Sequence, residues 1–385
     1  MHAPARHEGD RHVPFLRPFI PPYARVEARF RHAYATGSLT KGRELARFER
    51  EAADHLRVGH VVAVSSCTIG LTLVHRALGL TGEVIVPSFT FMATVSSAVW
   101  AGLEPVFVDI DPETWIVDLD RVEAAVTPRT AAIVAVHLYG NPAPVEALEA
   151  IGERHALPVI FDAAHGFGAL RSGRPLGAGG IAEVFSMSPT KLLVTGEGGV
   201  IATNDADLAR DLRVLREYGN PGDYDSLFAG TNARMPEIAA IMGSEGLAIL
   251  EANATGRNAL AARYIDRLSG LPGLRVQRIQ EGDRSSYKDF SIAVIPDELG
   301  ATRDELVALL TSRGIATRTY YVPPAHRQTA YRELGARYDA DLPVTDWLSE
   351  RVVSLPIWTG LPTHDVDRVC ASIADCARGA RAGAT

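Results

Sequence analysis

The sequence predicts an α/β protein: a mostly parallel central sheet flanked by helices, followed by a smaller α+β unit. Three observations carry that prediction. Short apolar runs of strand length alternate with amphipathic helical runs over the first half of the chain, the pattern of βαβ units whose sheet is buried on both faces. Polar residues collect at the carboxyl ends of those runs, where open α/β sheets bind their ligands. After a long helical stretch over 236–268 the order of elements changes to scattered strands and helices.

Taken in order, residues 23–34 place apolar and small side chains at helical spacing after Pro21 and Pro22, and Gly37 ends the run. A turn at 39–42 leads to a helix over 43–56 with Leu45, Phe48, Ala52 and Leu56 on one side. Then come HVVAVS (60–65) as a strand, CTIGLTLVHRALGL as a helix up to Gly79, EVIVP (83–87) as a strand and FMATVSSAVWAG as a helix. EPVFVDI (104–110), TAAIVAVHL (130–138) and LPVIFDAAH (157–165) read as strands, separated by the helices LDRVEAAV and VEALEAIGERHA. A helix over 205–217, an irregular stretch over 219–233 and the long helical run follow. Beyond it, strands are expected at 276–279, 289–295, 315–320 and 352–356, with helices at 303–312 and 365–377. We therefore expect a large unit over 13–255 and a small one over 256–385, the first residues of the large unit being able to pack on the small one.

Composition bounds the function. The chain has 385 residues, 46% hydrophobic and 22% charged, a formal net charge of −7 and a pI near 6.0. That is ordinary for a globular protein with a sizeable core and shows no basic stripe for nucleic acid. Cys67, Cys370 and Cys376 form neither a disulfide framework nor a metal-ligand pattern, which points to a reducing, cytoplasmic setting and no metal. No apolar stretch is long enough to cross a membrane. Residues 1–12 have no apolar core of a signal peptide and read as a disordered tail, as does RGARAGAT at the other end.

The chemistry centres on VFSMSPTKLLVTGEGGV (184–200), in which Lys191 lies in a polar turn between two apolar runs. By itself this stretch reads as a surface lysine in a hairpin. A lysine desolvated there instead favours its neutral amine, the form that attacks carbonyls. Asp162 ends a strand 29 positions earlier (191 − 162 = 29). Such an aspartate is often a helix cap, yet lysine with an upstream carboxylate is also what pyridoxal phosphate requires. His165 is placed to neighbour the aspartate or the ring hydroxyl, or to be a satisfied core histidine. Ser66, Cys67 and Thr68 open a helix after a strand, a generic anion site. Ser186 and Ser188 lie close to the lysine, and Phe91 is placed to stack on a planar ring or to sit in the core. No G-x-S-x-G elbow, Walker loop or G-x-G-x-x-G fingerprint after the first strand is present, which removes the usual hydrolase, NTPase and dehydrogenase readings.

Ordered motifs over most of the chain then carry a family resemblance: TKGRELARFE, AVSSCTIGL, EVIVPSFTFMAT, VIFDAAHGFGA, FSMSPTKLLVTGEGGVIAT, GTNARMPEIAA and LPVTDWLSERVVSLPIWTGL. The chain resembles the DegT/DnrJ/EryC1/StrS sugar aminotransferases, which share the aspartate aminotransferase fold, type I. The resemblance implies pyridoxal 5'-phosphate as cofactor, Lys191 as its Schiff-base lysine and proton shuttle, and Asp162 as partner of the pyridine nitrogen. It implies a phosphate site at Ser66, Cys67, Thr68 and Ser186, with Phe91 stacked on the ring. Asn232 resembles the asparagine that reaches the phosphate from the neighbouring subunit of a homodimer, with Arg234 close by. Two departures stand out: His165 where many relatives have Gln, and Cys67 where Gly is usual. The implied reaction moves an amino group from L-glutamate to a nucleotide-linked keto-sugar, with C-4 of a dTDP-4-keto-6-deoxyhexose as first choice. A C-3 acceptor or a keto-cyclitol is the alternative, and a PLP-binding regulator the alternative of another class. Substrate specificity is expected at 218–231 and 319–328, with Tyr320, Tyr321 and His326 chosen by position.

Overall fold

The computed structural model describes residues 12–338 and 341–382. Among the described residues nine strands fall in the first part of the chain: β1 (His60–Val64), β2 (Glu83–Pro87), β3 (Glu104–Val108), β4 (Thr130–Val136), β5 (Val159–Asp162), β6 (Leu170–Arg171), β7 (Arg174–Pro175), β8 (Ala182–Ser186) and β9 (Gly199–Thr203). Seven form one sheet in the order β1-β9-β8-β5-β4-β2-β3, while β6 and β7 pair as a small hairpin. β2 pairs in parallel with β3 and β4, and β4–β5 and β5–β8 are parallel as well. β9 runs antiparallel to both of its neighbours.

Strand residues alternate between two apolar layers, as the pleat requires. On one face Val62, Val84, Val134, Ile160 and Val184 pack against the helices Cys67–Ala77, Met92–Trp100 and Ala206–Leu215. On the other, Val61, Ala63, Phe185 and Val200 pack on the helices Arg43–Leu56 and Glu237–Leu268. Ile85, Ile133 and Phe161 share that second side with the helix Val145–His155. Each fully buried Val, Leu, Ile or Phe contributes roughly 1.5–3 kcal/mol, so the wide two-faced core holds the strand ends rigidly in register.

The helix Arg43–Leu56 takes its cap from elsewhere in the chain. Its N-cap, Gly42, has no side chain, and the buried carboxylate of Glu237 accepts the amides of Gly42, Glu44 and Leu45 at 3.0 Å each. A β-carbon at Gly42 would lie 2.5 Å from that carboxylate and would displace it.

The long helix Glu237–Leu268 links two cores. Ala239, Ala240, Leu250 and Ala254 belong to the layer under the large sheet, whereas Leu260, Ala261, Tyr264 and Leu268 join a second cluster. That second cluster surrounds an antiparallel sheet of β10 (Leu274–Val276), β11 (Phe290–Val294) and β12 (Val352–Leu355), with the helices Arg303–Ser312 and Thr363–Ala382. Val13 packs into it and bridges to Ile315.

Several expectations are corrected here. The strand expected at 276–279 is β10 and ends at Val276. Residues 315–320 form no strand: Ile315 and Arg318 each make a single bridge, to Val13 and Ser354. The chain then turns away, because the hydroxyl of Tyr139 donates to the Tyr320 carbonyl and draws that segment to the large sheet. The last helix runs through Ala382, so residues 378–382 of the expected tail are helical. Residues 1–11 of the other expected tail lie outside the described residues, as do 383–385. The helix Pro343–Arg351 was not expected; Pro343 occupies its first turn, where a proline costs no hydrogen bond.

Candidate active site

β8 and β9 are antiparallel neighbours joined by residues 187–198, so Lys191 does lie in a hairpin connection. It is not a surface one. Leu192 and Leu193 are buried in the layer beneath the sheet, and the Met187 amide donates to Gly198 O at 2.9 Å, as does Thr195 N to Met187 O. These anchors turn Lys191 into a cavity of about 370 Å³ at the carboxyl ends of the parallel strands. Desolvation lowers its pKa from 10.5 to about 8, with a further push from the positive charge of Lys288.

Asp162, the last residue of β5, is 3% exposed and lines the same cavity. Its Oδ2 accepts the Thr94 hydroxyl at 2.6 Å, and its Oδ1 accepts the Ala164 amide at 3.0 Å. The hydroxyls of Thr90 and Thr94 lie 2.9 Å apart, extending the chain of donors behind the carboxylate. His165, three residues on, accepts the Tyr139 amide at Nδ1 at 3.1 Å. Burial, and then the charges of Lys191 and Lys288, hold its pKa well below the ordinary value. The ring is thus neutral, and the accepting Nδ1 assigns its proton to Nε2.

Ser66 caps the helix Cys67–Ala77, its Oγ accepting the Ile69 amide at 3.2 Å. The first-turn amides of such a helix have no partner within it and favour an anion. The Cys67 thiol does not stand at the mouth of this turn. It donates to Val184 O at 3.3 Å and lies 3.8 Å from Asp162 Oδ1, and burial pushes its pKa well above the usual thiol value. Cysteine is tolerated in place of glycine because its side chain runs into the strand ends. Glycine is demanded instead at Gly199, where a β-carbon would lie 2.6 Å from both the Cys67 nitrogen and the Ser66 carbonyl carbon. Thr68 and Ser186 line the cavity beside this turn.

The opposite wall is aromatic and comes largely from the later part of the chain. Phe91, 46% exposed, lies with its ring 6.0 Å from that of Tyr321, which also stacks on Tyr139 and Tyr320 at 6.1 and 5.5 Å. Tyr320, Tyr321 and Lys288 all face the cavity. Of the expected residues, Ser66, Cys67, Thr68, Phe91, Asp162, His165, Ser186, Lys191, Tyr320 and Tyr321 converge on it. His326 does not: it is buried behind β2, with Nδ1 2.6 Å from Ser88 Oγ and its backbone amide bonded to the same oxygen. Asn232 and Arg234 do not line this cavity either. Asn232 is exposed, bridged to Glu217, while Arg234 pairs with Glu217 at 3.2 Å and covers the Tyr218 ring. Thr94, Tyr139 and Lys288 escaped sequence reasoning. Thr94 looks like a helix-interior residue, and Lys288 precedes an apolar strand with no motif around it.

A desolvated lysine, a buried carboxylate held by two donors and a helix start free for an anion fit pyridoxal phosphate at its aldehyde, ring nitrogen and phosphate respectively. Fold and cavity together define an aminotransferase that works with this cofactor. Residues 24–374 match the DegT/DnrJ/EryC1/StrS aminotransferase family, and the chain belongs to it. Among solved structures it is similar to DesI in the presence of its TDP-sugar product, at 38% identity over 97% of this chain and 95% of that one, with a TM-score of 0.91. It is also similar to DesV of S. venezuelae in complex with a ketimine intermediate, at 35% identity over 94% and 98% of the two chains, with a TM-score of 0.88. A family member from Brucella abortus is 35% identical over 91% of this chain and 95% of its own, with a TM-score of 0.85.

Proposed function

We propose that the chain transfers an amino group from L-glutamate to a nucleotide-linked keto-sugar, at C-4 of a dTDP-4-keto-6-deoxyhexose, in amino-sugar biosynthesis. What supports the reading is the convergence of Lys191, Asp162 and the turn at 66–68 on one cavity, in a chain 38% identical to a protein solved with its TDP-sugar product. Lys191 would anchor the cofactor, Asp162 meet its ring nitrogen, and Ser66, Cys67, Thr68 and Ser186 hold its phosphate. Phe91 would cover the ring and His165 offer its Nε2 proton beside it. Pyridoxal phosphate, when bound, supplies the carbonyl that takes up the amino group and a ring that accepts the electrons left when a proton departs. The released Lys191 amine, with a pKa near 8, takes the proton from the donor's α-carbon as general base and later returns one to the sugar carbon. Tyr320 and Tyr321, in the cavity wall, would meet the acceptor.

The proposal includes a homodimer with shared active sites. Asn232 and Arg234 follow a segment bearing the exposed side chains Tyr218, Tyr224, Leu227 and Phe228, a surface suited to a second copy of the chain. Asn232 of the partner subunit would then complete the phosphate site. Among the described residues no helix is long and apolar enough to cross a membrane, and Cys67, Cys370 and Cys376 are free thiols; we place the enzyme in the cytoplasm.

The test is spectroscopic. The absorption band of the yellow holoenzyme should bleach with L-glutamate and return with a dTDP-4-keto-6-deoxyhexose, and NMR of the product should place the new amine at C-4. A spectrum unmoved by L-glutamate, with or without the keto-sugar, defeats the reading. An amine at C-3 replaces only the regiochemistry.

A further inference from the structure

Lys191 is reserved for covalent and proton chemistry, and the His165 ring is neutral. Among the described residues one basic side chain then remains in the cavity wall, Lys288. In the reading above it acts only as a positive charge beside Lys191 and His165. Its Nζ donates to both oxygens of Asp289, at 3.0 and 2.8 Å, and both residues are buried. The Tyr320 ring lies 5.1 Å from the same nitrogen. The backbone is clamped as well: Arg257, reaching from the long helix, donates to the carbonyls of Tyr287 and Lys288 at 3.2 Å each, and the Lys288 amide donates to Tyr139 O at 2.9 Å.

A buried ion pair is seldom a source of stability, because desolvating two charges offsets their attraction. Its position in a cavity wall therefore calls for a ligand. An ammonium has three N–H donors, and Asp289 takes two of them. The remaining one suits a single-point, singly charged acceptor such as a carboxylate. A diphosphate would call for several donors. An aminotransferase receives its donor and its acceptor in one cavity, and every α-amino acid donor brings a carboxylate.

We propose that Lys288, oriented by Asp289 and Tyr320, is the residue that selects the amino donor by receiving its carboxylate. The inference rests on the transamination reading above. Its test is binding without turnover: isothermal titration of the holoenzyme with glutarate, a dicarboxylate that has no amine, and in parallel with dTDP. Lys288→Met should weaken glutarate at least tenfold and Lys288→Arg less, with dTDP unchanged. The KM for L-glutamate should rise at least tenfold at constant acceptor KM. The pair Lys288→Met, Asp289→Asn, which removes both members of the ion pair, should reproduce these losses with the absorption band of the bound cofactor retained. Equal glutarate binding by wild type and both variants overturns the proposal. So does a loss of dTDP in place of glutarate, a wild type that binds no glutarate, or a variant whose sole change is in the pH profile of Lys191. If L-glutamate fails to bleach the wild-type band, the transamination reading falls first. A normal wild-type response with unaltered glutarate binding in the variants removes the Lys288 assignment alone.

Discussion

At the scale of single residues, Lys191 makes a claim that pH can test. Its pKa falls from 10.5 to about 8 in the folded chain, a difference of about 3 kcal/mol between the two protonation states. Between those values the unfolded chain binds the proton and the folded chain does not, so stability rises with pH across that window. In cofactor-free protein, denaturant unfolding should show the wild type gaining about 3 kcal/mol between pH 8 and 10.5 relative to Lys191→Met. Uptake of added pyridoxal phosphate should accelerate with pH and level off above about 8, and Lys191→Ala should abolish turnover. Thr94 acts through Asp162: its hydroxyl is the shortest bond to that carboxylate, and bonds to charged groups contribute about 1.5–3 kcal/mol. Thr94→Val should therefore weaken cofactor retention about tenfold or more in equilibrium dialysis. Asp162, Ser66 and Ser186 were legible because each sits at or just beyond a strand end, and Lys191 because it interrupts two apolar runs. The sequence could not show Thr94 or Lys288, whose places follow from the packing of one element on another. His326 was chosen by its nearness to Tyr320 and Tyr321 in the chain, and the fold turned it toward Ser88.

At the scale of elements, periodicity located nearly every helix and strand of the large sheet, since burial on both faces leaves an unmistakable apolar run. It failed at 315–320, where the pattern is strand-like but the partners are single residues from different segments. The cap on the helix Arg43–Leu56 was equally invisible, being supplied by Glu237 from 193 positions away. Replacing that glutamate by alanine removes both acceptor oxygens from three amides. The expected loss is about 3 kcal/mol, read as a lower Tm in calorimetry, and Glu237→Gln should recover part of it because an amide oxygen still accepts.

At the scale of the whole molecule, the proposed dimer makes the sharpest claim. If Asn232 serves the neighbouring subunit, Lys191→Ala and Asn232→Asp chains are each inactive alone. When they are unfolded together and refolded, half of the dimers are mixed and each carries one intact site, giving about a quarter of wild-type activity. No recovery would mean that each subunit completes its own site. The cavity wall is divided along the chain: one group of lining residues ends at Glu197, whereas Lys288, Tyr320 and Tyr321 come after Leu268. The helices Ala206–Leu215 and Glu237–Leu268 and the stretch between them separate the two contributions along the chain. A transplant of residues 269–362 from a relative with another substrate should change what is accepted and leave the absorption band of the bound cofactor in place. In this architecture, new sugars become accessible by exchanging one wall of the cavity.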